Sequence, residues 1–130
     1  MIQQPEPGKL SKMELEVMRE VWGMTYQVTV ARLLEIFSVR HGWKTSTLST
    51  ILDRLIEKKY LTKTAVGKAN VYTAAMTEAA HKEYETKMFL NEVHNGDMKS
   101  FIAALADGSG ISAAELAEIR AWFNDKAGEL

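Results

Sequence analysis

Hydroxyl side chains fill five of the six positions 45–50, as Thr45, Ser46, Thr47, Ser49 and Thr50. Short hydroxyls can donate to or accept from base edges in the major groove of DNA, and a threonine methyl can meet the methyl of thymine. The same segment lies in a cationic span. Residues 40–68 hold Arg40, Lys44, Arg54, Lys58, Lys59, Lys63 and Lys68 against only Asp53 and Glu57. Such a local excess is the electrostatic footprint expected of a protein that meets a phosphate backbone. Charge runs are more often merely solvated, so the span needs support from the elements that carry it.

Other chemistries find little to work with. The three histidines, His41, His81 and His94, share no metal-ligand spacing, and His81 with Glu85 reads as a solvated i, i+4 pair. Cysteine is absent, which removes disulfides, zinc fingers and thiolate chemistry together. No phosphate-binding glycine loop, dinucleotide fingerprint or nucleophile elbow occurs, so the reading is of a protein that is not an enzyme and needs no cofactor or metal. The seven methionines are dispersed at core-like spacings and act as gap-fillers.

The hydroxyl-rich segment must itself be a helix. Leu48, Ile51, Leu52 and Leu55 stand at i, i+3, i+4 and i+7, an apolar stripe, with Ser46, Thr50 and Asp53 opposite and Thr47, Ser49 and Arg54 flanking. Serine and threonine cost a few tenths of a kcal/mol each in helix propensity, a loss that binding can offset. The simpler alternative has Thr45 capping the helix and the other hydroxyls idle.

Upstream, Ser11 and Glu14 form a capping box that opens a helix over residues 12–22, with Met13, Val17 and Val21 inward and Leu15, Met18 and Trp22 beside them. The segment 26–28 is β-prone, and Thr29 caps a second helix with the stripe Val30, Leu33, Leu34 and Phe37, closed by His41 and Gly42. Downstream, residues 60–65 and 70–76 read as two strands joined through Gly67 and Lys68. Trp22 and Trp43 belong to the core. Helix, short strand, helix, helix, hairpin is the order of a winged helix-turn-helix, so the fold class is mainly α, with a small β-hairpin wing followed by a C-terminal helical dimerisation region.

That later region is acidic. Residues 1–80 carry eleven Lys/Arg against eight Asp/Glu, whereas residues 81–130 carry five against nine. Helices are expected over 77–94, ended by Asn95 and Gly96, over 97–106, and from a second capping box at Ser112 and Glu115, with a glycine-rich break at 108–110. Met88, Val93, Phe101, Ile102, Leu105, Leu116, Ile119, Trp122 and Phe123 are more apolar surface than three short helices can hide, which points to a homodimer. The expected organisation is a loose arm at 1–10, a winged domain at 11–76 and a helical dimerisation domain at 77–130. No stretch approaches a membrane span, and a cytoplasmic location fits.

Residues 14–22 (ELEVMREVW), Trp43 with residues 47–55 (TLSTILDRL), Lys58-Lys59, and Gly67-Lys68 with Tyr72 together resemble the penicillinase repressor family, the BlaI/MecI/CopY group, over residues 10–123. The resemblance implies a homodimeric repressor whose third helix reads an operator in double-stranded DNA, through Lys44, Thr45, Ser46, Thr47, Ser49, Thr50 and Arg54. It further implies a wing along the backbone, carrying Lys63 and Lys68, and C-terminal helices that make the dimer. The copper-responsive branch carries a cysteine-rich C-terminal motif that this chain lacks. The β-lactam-responsive branch is inactivated by cleavage at an Asn-Phe bond, where this chain has Ala104-Leu105, so a regulatory protease is a candidate partner with a different cleavage preference. Two other readings stay open: a winged-helix module that binds only protein, and a ligand-gated repressor resembling the MarR group.

Overall fold

The computed structural model describes residues 8–108 and 110–129, so most of the expected arm, Ser109 of the expected break, and Leu130 lie outside it. The elements are α1 (Lys12–Gly23), α2 (Val30–His41), α3 (Thr45–Glu57), β1 (Leu61–Val66), β2 (Ala69–Ala74), α4 (Glu78–His94), α5 (Met98–Gly108) and α6 (Ala113–Glu129). They divide into two units, Met1–Glu85 and Thr86–Leu130. Among the described residues no helix is long and apolar enough to cross a membrane.

The first unit is a winged helix-turn-helix. Ser11 and Glu14 form the reciprocal capping box of α1, with Ser11 N–H donating to Glu14 Oε1 at 2.7 Å and Glu14 N–H to Ser11 Oγ at 3.2 Å. Thr29 Oγ1 accepts from Arg32 N–H at the start of α2, and Gly42, in the left-handed region at φ 69°, ends it. β1 and β2 pair antiparallel from Leu61↔Ala74 to Val66↔Ala69. Gly67 alone of the two turn residues has positive φ, at 63°, the pattern of a II′ turn whose twist suits a hairpin. The β-prone segment before α2 contributes a single bridge, Val28 to Tyr72.

One core holds these elements. Leu48, Ile51, Leu52 and Leu55 of α3 are buried against Val17, Met18 and Val21 of α1, Leu33 and Phe37 of α2, and Val28, Tyr60, Leu61 and Tyr72. Each fully buried aliphatic side chain contributes about 1.5–3 kcal/mol, so the stripe on α3 is the largest single commitment of the unit. Trp22 and Trp43 are half-buried against this core.

The buried stripe of α1 differs from the expected one. Met13 is 54% exposed, and Glu14 occupies the inward position at 1%, giving Glu14, Val17, Met18 and Val21 the helical spacing. A carboxylate is tolerated there because Lys58 Nζ lies 2.6 Å from Glu14 Oε1 and also donates to the Lys9 carbonyl at 2.7 Å. Burial works to raise the Glu14 pKa. Hydrogen bonds from Lys58 and Ser11, with the Lys58 charge, outweigh that and hold the carboxyl below its ordinary 4.5.

His81 is the second departure. Rather than forming a solvated pair with Glu85, it is buried, with Nδ1 2.9 Å from the Tyr60 hydroxyl and its ring tilted over Trp22 at 5.3 Å. Trp22 Nε1 in turn donates to the Met76 carbonyl at 2.9 Å. Burial, with Glu85 and Tyr84 adding to it, pushes the Tyr60 hydroxyl up to about 12. The opening turns of α4 therefore pack with the first unit, which runs to Glu85.

In the second unit, Phe89, His94 and Phe101 meet edge to face at 5.6–6.1 Å, and His94 Nδ1 lies 2.8 Å from Ser100 Oγ. Asp97 caps α5 by accepting from Ser100 N–H, and Ser112 Oγ accepts from Glu115 N–H at the start of α6. α5 runs to Gly108, two residues beyond the expected Ala106. Neither α5 nor α6 has a buried residue. Met88 and Phe101 are half-buried, while Val93, Ile102, Leu105, Leu116, Ile119, Trp122 and Phe123 are exposed.

Because the Glu14 carboxyl titrates lower folded than unfolded, its contribution is present above pH 4.5 and is lost as pH falls through the depressed folded value. Lys58→Met leaves that carboxylate buried without its cation. It should cost about 3 kcal/mol near neutral pH. Because burial then acts on the carboxyl without the lysine to oppose it, that cost should shrink as pH falls and the carboxyl is protonated, as followed by circular dichroism melts of both proteins across pH.

Candidate nucleic-acid interface

α3 reaches its position through a three-residue turn, Gly42, Trp43 and Lys44, after α2. A side-chain chain fixes that turn from behind. Glu16 on α1 holds His41 Nε2 at 2.6 Å, and Trp43 stacks on both His41 and Phe37, with centroids at 5.0 and 4.8 Å. The N-cap is Lys44, and no side chain caps the helix. Thr45 is therefore not used as a cap, and the first-turn N–H groups of α3 are left for an external acceptor.

Thr45, Ser46, Thr47 and Thr50 are exposed and Ser49 is half-buried. Of their hydroxyls only that of Thr50 makes a hydrogen bond among the described residues, donating to the Ser46 carbonyl at 3.0 Å. The helix thus buries its aliphatic stripe and presents unsatisfied hydroxyls on the other side.

The structure sorts the seven cations of residues 40–68. Arg40 is paired with Glu20 at 2.7 Å and lies over the Phe37 ring, and Lys58 is held by Glu14. Both serve the fold. Lys44, Arg54, Lys59, Lys63 and Lys68 form no ion pair among the described residues. Lys44 stands at the start of α3, Arg54 in its last turn, Lys63 in β1 and Lys68 at the wing tip. All nine residues expected from sequence to touch DNA fall on α3, its N-cap or the wing. Among the described residues no cluster of three or more His, Asp or Glu could hold a metal ion.

Lys59 lies in the same charge span but is not among the nine. It occupies the left-handed region at φ 70° just after α3, where Lys59 N–H donates to the Ile56 carbonyl and Tyr60 N–H to that of Leu55. This is a Schellman closure with lysine in the place glycine usually takes. No local signal marks it, since lysine is not a residue that favours positive φ. The chain His41, Glu16 and Trp43 had no local signal, since its members come from three segments.

A winged helix-turn-helix with an uncapped, hydroxyl-bearing third helix and unpaired cations on that helix and its wing is the architecture of a DNA-reading regulator. The profile described as Penicillinase repressor matches residues 10–125, and the chain belongs to that family, one of transcriptional repressors and not of enzymes. It is 29% identical over 111 residues to the penicillinase repressor of Bacillus licheniformis, covering 85% of this chain and 86% of that one. It is 26% identical over 117 residues to that of Staphylococcus aureus, covering 90% and 92%. Among solved structures, the DNA-binding domain of the repressor BlaI superposes with a TM-score of 0.52 at 29% identity, over 60% of this chain and 93% of that domain. Monomeric B. licheniformis BlaI in complex with the blaP half-operator gives a TM-score of 0.50 at 29% identity, over 58% and 90%.

Lysine at a left-handed position costs about 1 kcal/mol relative to glycine. Lys59→Gly should therefore raise the midpoint of thermal unfolding, and a lowered midpoint would show that the Lys59 side chain stabilises the fold in another way.

Proposed function

We propose that the chain is a sequence-specific, homodimeric transcriptional repressor of the cytoplasm, which reads duplex DNA through α3 and occludes a promoter. The observation that carries this is the outward face of α3, whose cations and, Thr50 apart, hydroxyls have no partner among the described residues, while the opposite face is buried in the core. Thr45, Ser46, Thr47, Ser49 and Thr50 meet the major groove. Lys44 and Arg54 flank them on the backbone, and Lys63 and Lys68 bring the wing to neighbouring phosphates. The B. licheniformis relative solved on its half-operator supports the assignment.

Salt should weaken binding, each phosphate contact contributing roughly −0.9 to the slope of log affinity against log salt. Lys44→Glu and Lys68→Glu should weaken binding to all duplexes and reduce the slope by about 1 each. Ser46→Ala should mainly lower discrimination between the promoter of the regulated gene and random DNA. Equal affinity for every duplex would instead favour a protein-interaction module.

The dimer is assigned to the second unit, through Met88, Val93, Phe101, Ile102, Leu105, Leu116, Ile119, Trp122 and Phe123. A fragment ending after Glu85 should sediment as a folded monomer and lose about 100-fold or more in operator affinity, since two linked half-sites become one. If that fragment stays dimeric, the interface lies in the winged unit. Ending it at Met76 should also lower its melting temperature, because His81 and its bond to Tyr60 are removed.

Release follows from disrupting the second unit, and a regulatory protease is the agent the family resemblance suggests. Ala104 and Leu105 lie inside α5, whereas the connection from Gly108 to Ala113 is the break between α5 and α6. Limited proteolysis read by mass spectrometry should give first cuts between residues 107 and 113. First cuts confined to the wing would leave constitutive repression or a small ligand as the better account.

A further inference from the structure

The hydroxyls of α3 are not equivalent, and the difference has a consequence for what each can read. Thr45, Ser46, Thr47 and Ser49 keep their O–H groups free of any hydrogen bond among the described residues. A free hydroxyl rotates to donate or accept, so it tolerates several bases. Thr50 is exposed, yet its Oγ1 donates to the Ser46 carbonyl one turn back at 3.0 Å.

That bond spends the only proton Thr50 has and fixes χ1, which β-branching already restricts. With the oxygen engaged on the helix's own carbonyl, the other heavy-atom substituent of Cβ, the Cγ2 methyl, is the group left to meet DNA. Position 50 therefore offers DNA an apolar group of fixed direction rather than a rotating donor. In the major groove the apolar feature of the standard bases is the C5 methyl of thymine.

We propose that Thr50 is a specificity-determining residue that selects thymine through methyl-to-methyl contact, while Ser46, one turn earlier on the same face, makes an adaptable polar contact. This rests on the reading of α3 as the DNA-reading helix. Removing one methyl from such a contact should weaken binding about fourfold, the equivalent of about 0.8 kcal/mol per buried methyl group.

The test uses the full-length chain and the tightest duplex it selects from a random library. Each thymine is then replaced singly by deoxyuracil, which lacks only the methyl. Wild type should lose about fourfold in affinity at one thymine per half-site. Thr50→Val keeps the methyl and removes the oxygen, and should retain that thymine-over-uracil preference. Thr50→Ser keeps the oxygen and removes the methyl, and should bind both duplexes equally, with an unchanged circular dichroism melt. If no uracil substitution weakens wild type, or if Thr50→Ser keeps the preference and Thr50→Val loses it, the inference is overturned. A wild-type chain that selects no duplex at all overturns the DNA-reading assignment itself, a result seen before any variant is made.

Discussion

The winged unit depends on one constraint, that α3 must be buried and exposed at once. Leu48, Ile51, Leu52 and Leu55 supply the centre of the core, and α1, α2, Tyr60 and the base of the wing pack around them. A helix held by its side chains along four positions cannot rotate without exposing them. The opposite face is therefore fixed in direction without any residue on that face having to stabilise the fold. This explains why low-propensity serines and threonines are affordable there, at a few tenths of a kcal/mol each against several kcal/mol of burial.

The same separation applies to charge. A cluster of seven cations would repel itself unless some were neutralised, and the fold neutralises the two that face inward or back toward α1. Lys58 compensates a carboxylate that the start of α1 has buried, and Arg40 reaches Glu20. The five that remain are on the helix, its two ends and the wing. The cationic surface is thus smaller than the sequence total suggests and more concentrated around α3.

What could be read from sequence, and what could not, divides by distance along the chain. The capping box at Ser11, the Thr29 cap, the four-residue stripe of α3 and the turn at Gly67 are all set within a few residues, and the structure has them where the sequence places them. The burial of Glu14 in place of Met13 and that of His81 escape a local reading because their partners are remote. Lys58 stands 44 residues from Glu14, and Tyr60 stands 21 from His81. Nothing in the local pattern tells a glutamate at a helix start that the oxygen it lends to the cap will also meet a lysine. The nine candidate DNA-contacting residues can be gathered from sequence because they share a helix, its N-cap and a hairpin. Lys59 was counted only as charge because a left-handed lysine is decided by backbone closure after α3, not by composition.

The second unit raises a different question, that of how its helices persist. α5 has 11 residues and α6 has 17, and neither buries a side chain within the chain. Isolated helices of that length are marginal in water, and capping by Asp97 and Ser112 adds only about 1 kcal/mol each. Leu116, Ile119, Trp122 and Phe123 on α6 are all 40% exposed or more. Burying such side chains is worth about 1.5–3 kcal/mol apiece, more than capping supplies. In the proposed dimer, association is therefore the condition under which these helices are stable, not an addition to a finished fold. Operator affinity and helix formation would then share one equilibrium. A signal acting on the second unit would not need to touch α3 to remove the protein from DNA, because a monomer keeps its reading face intact and loses only the gain from two linked half-sites.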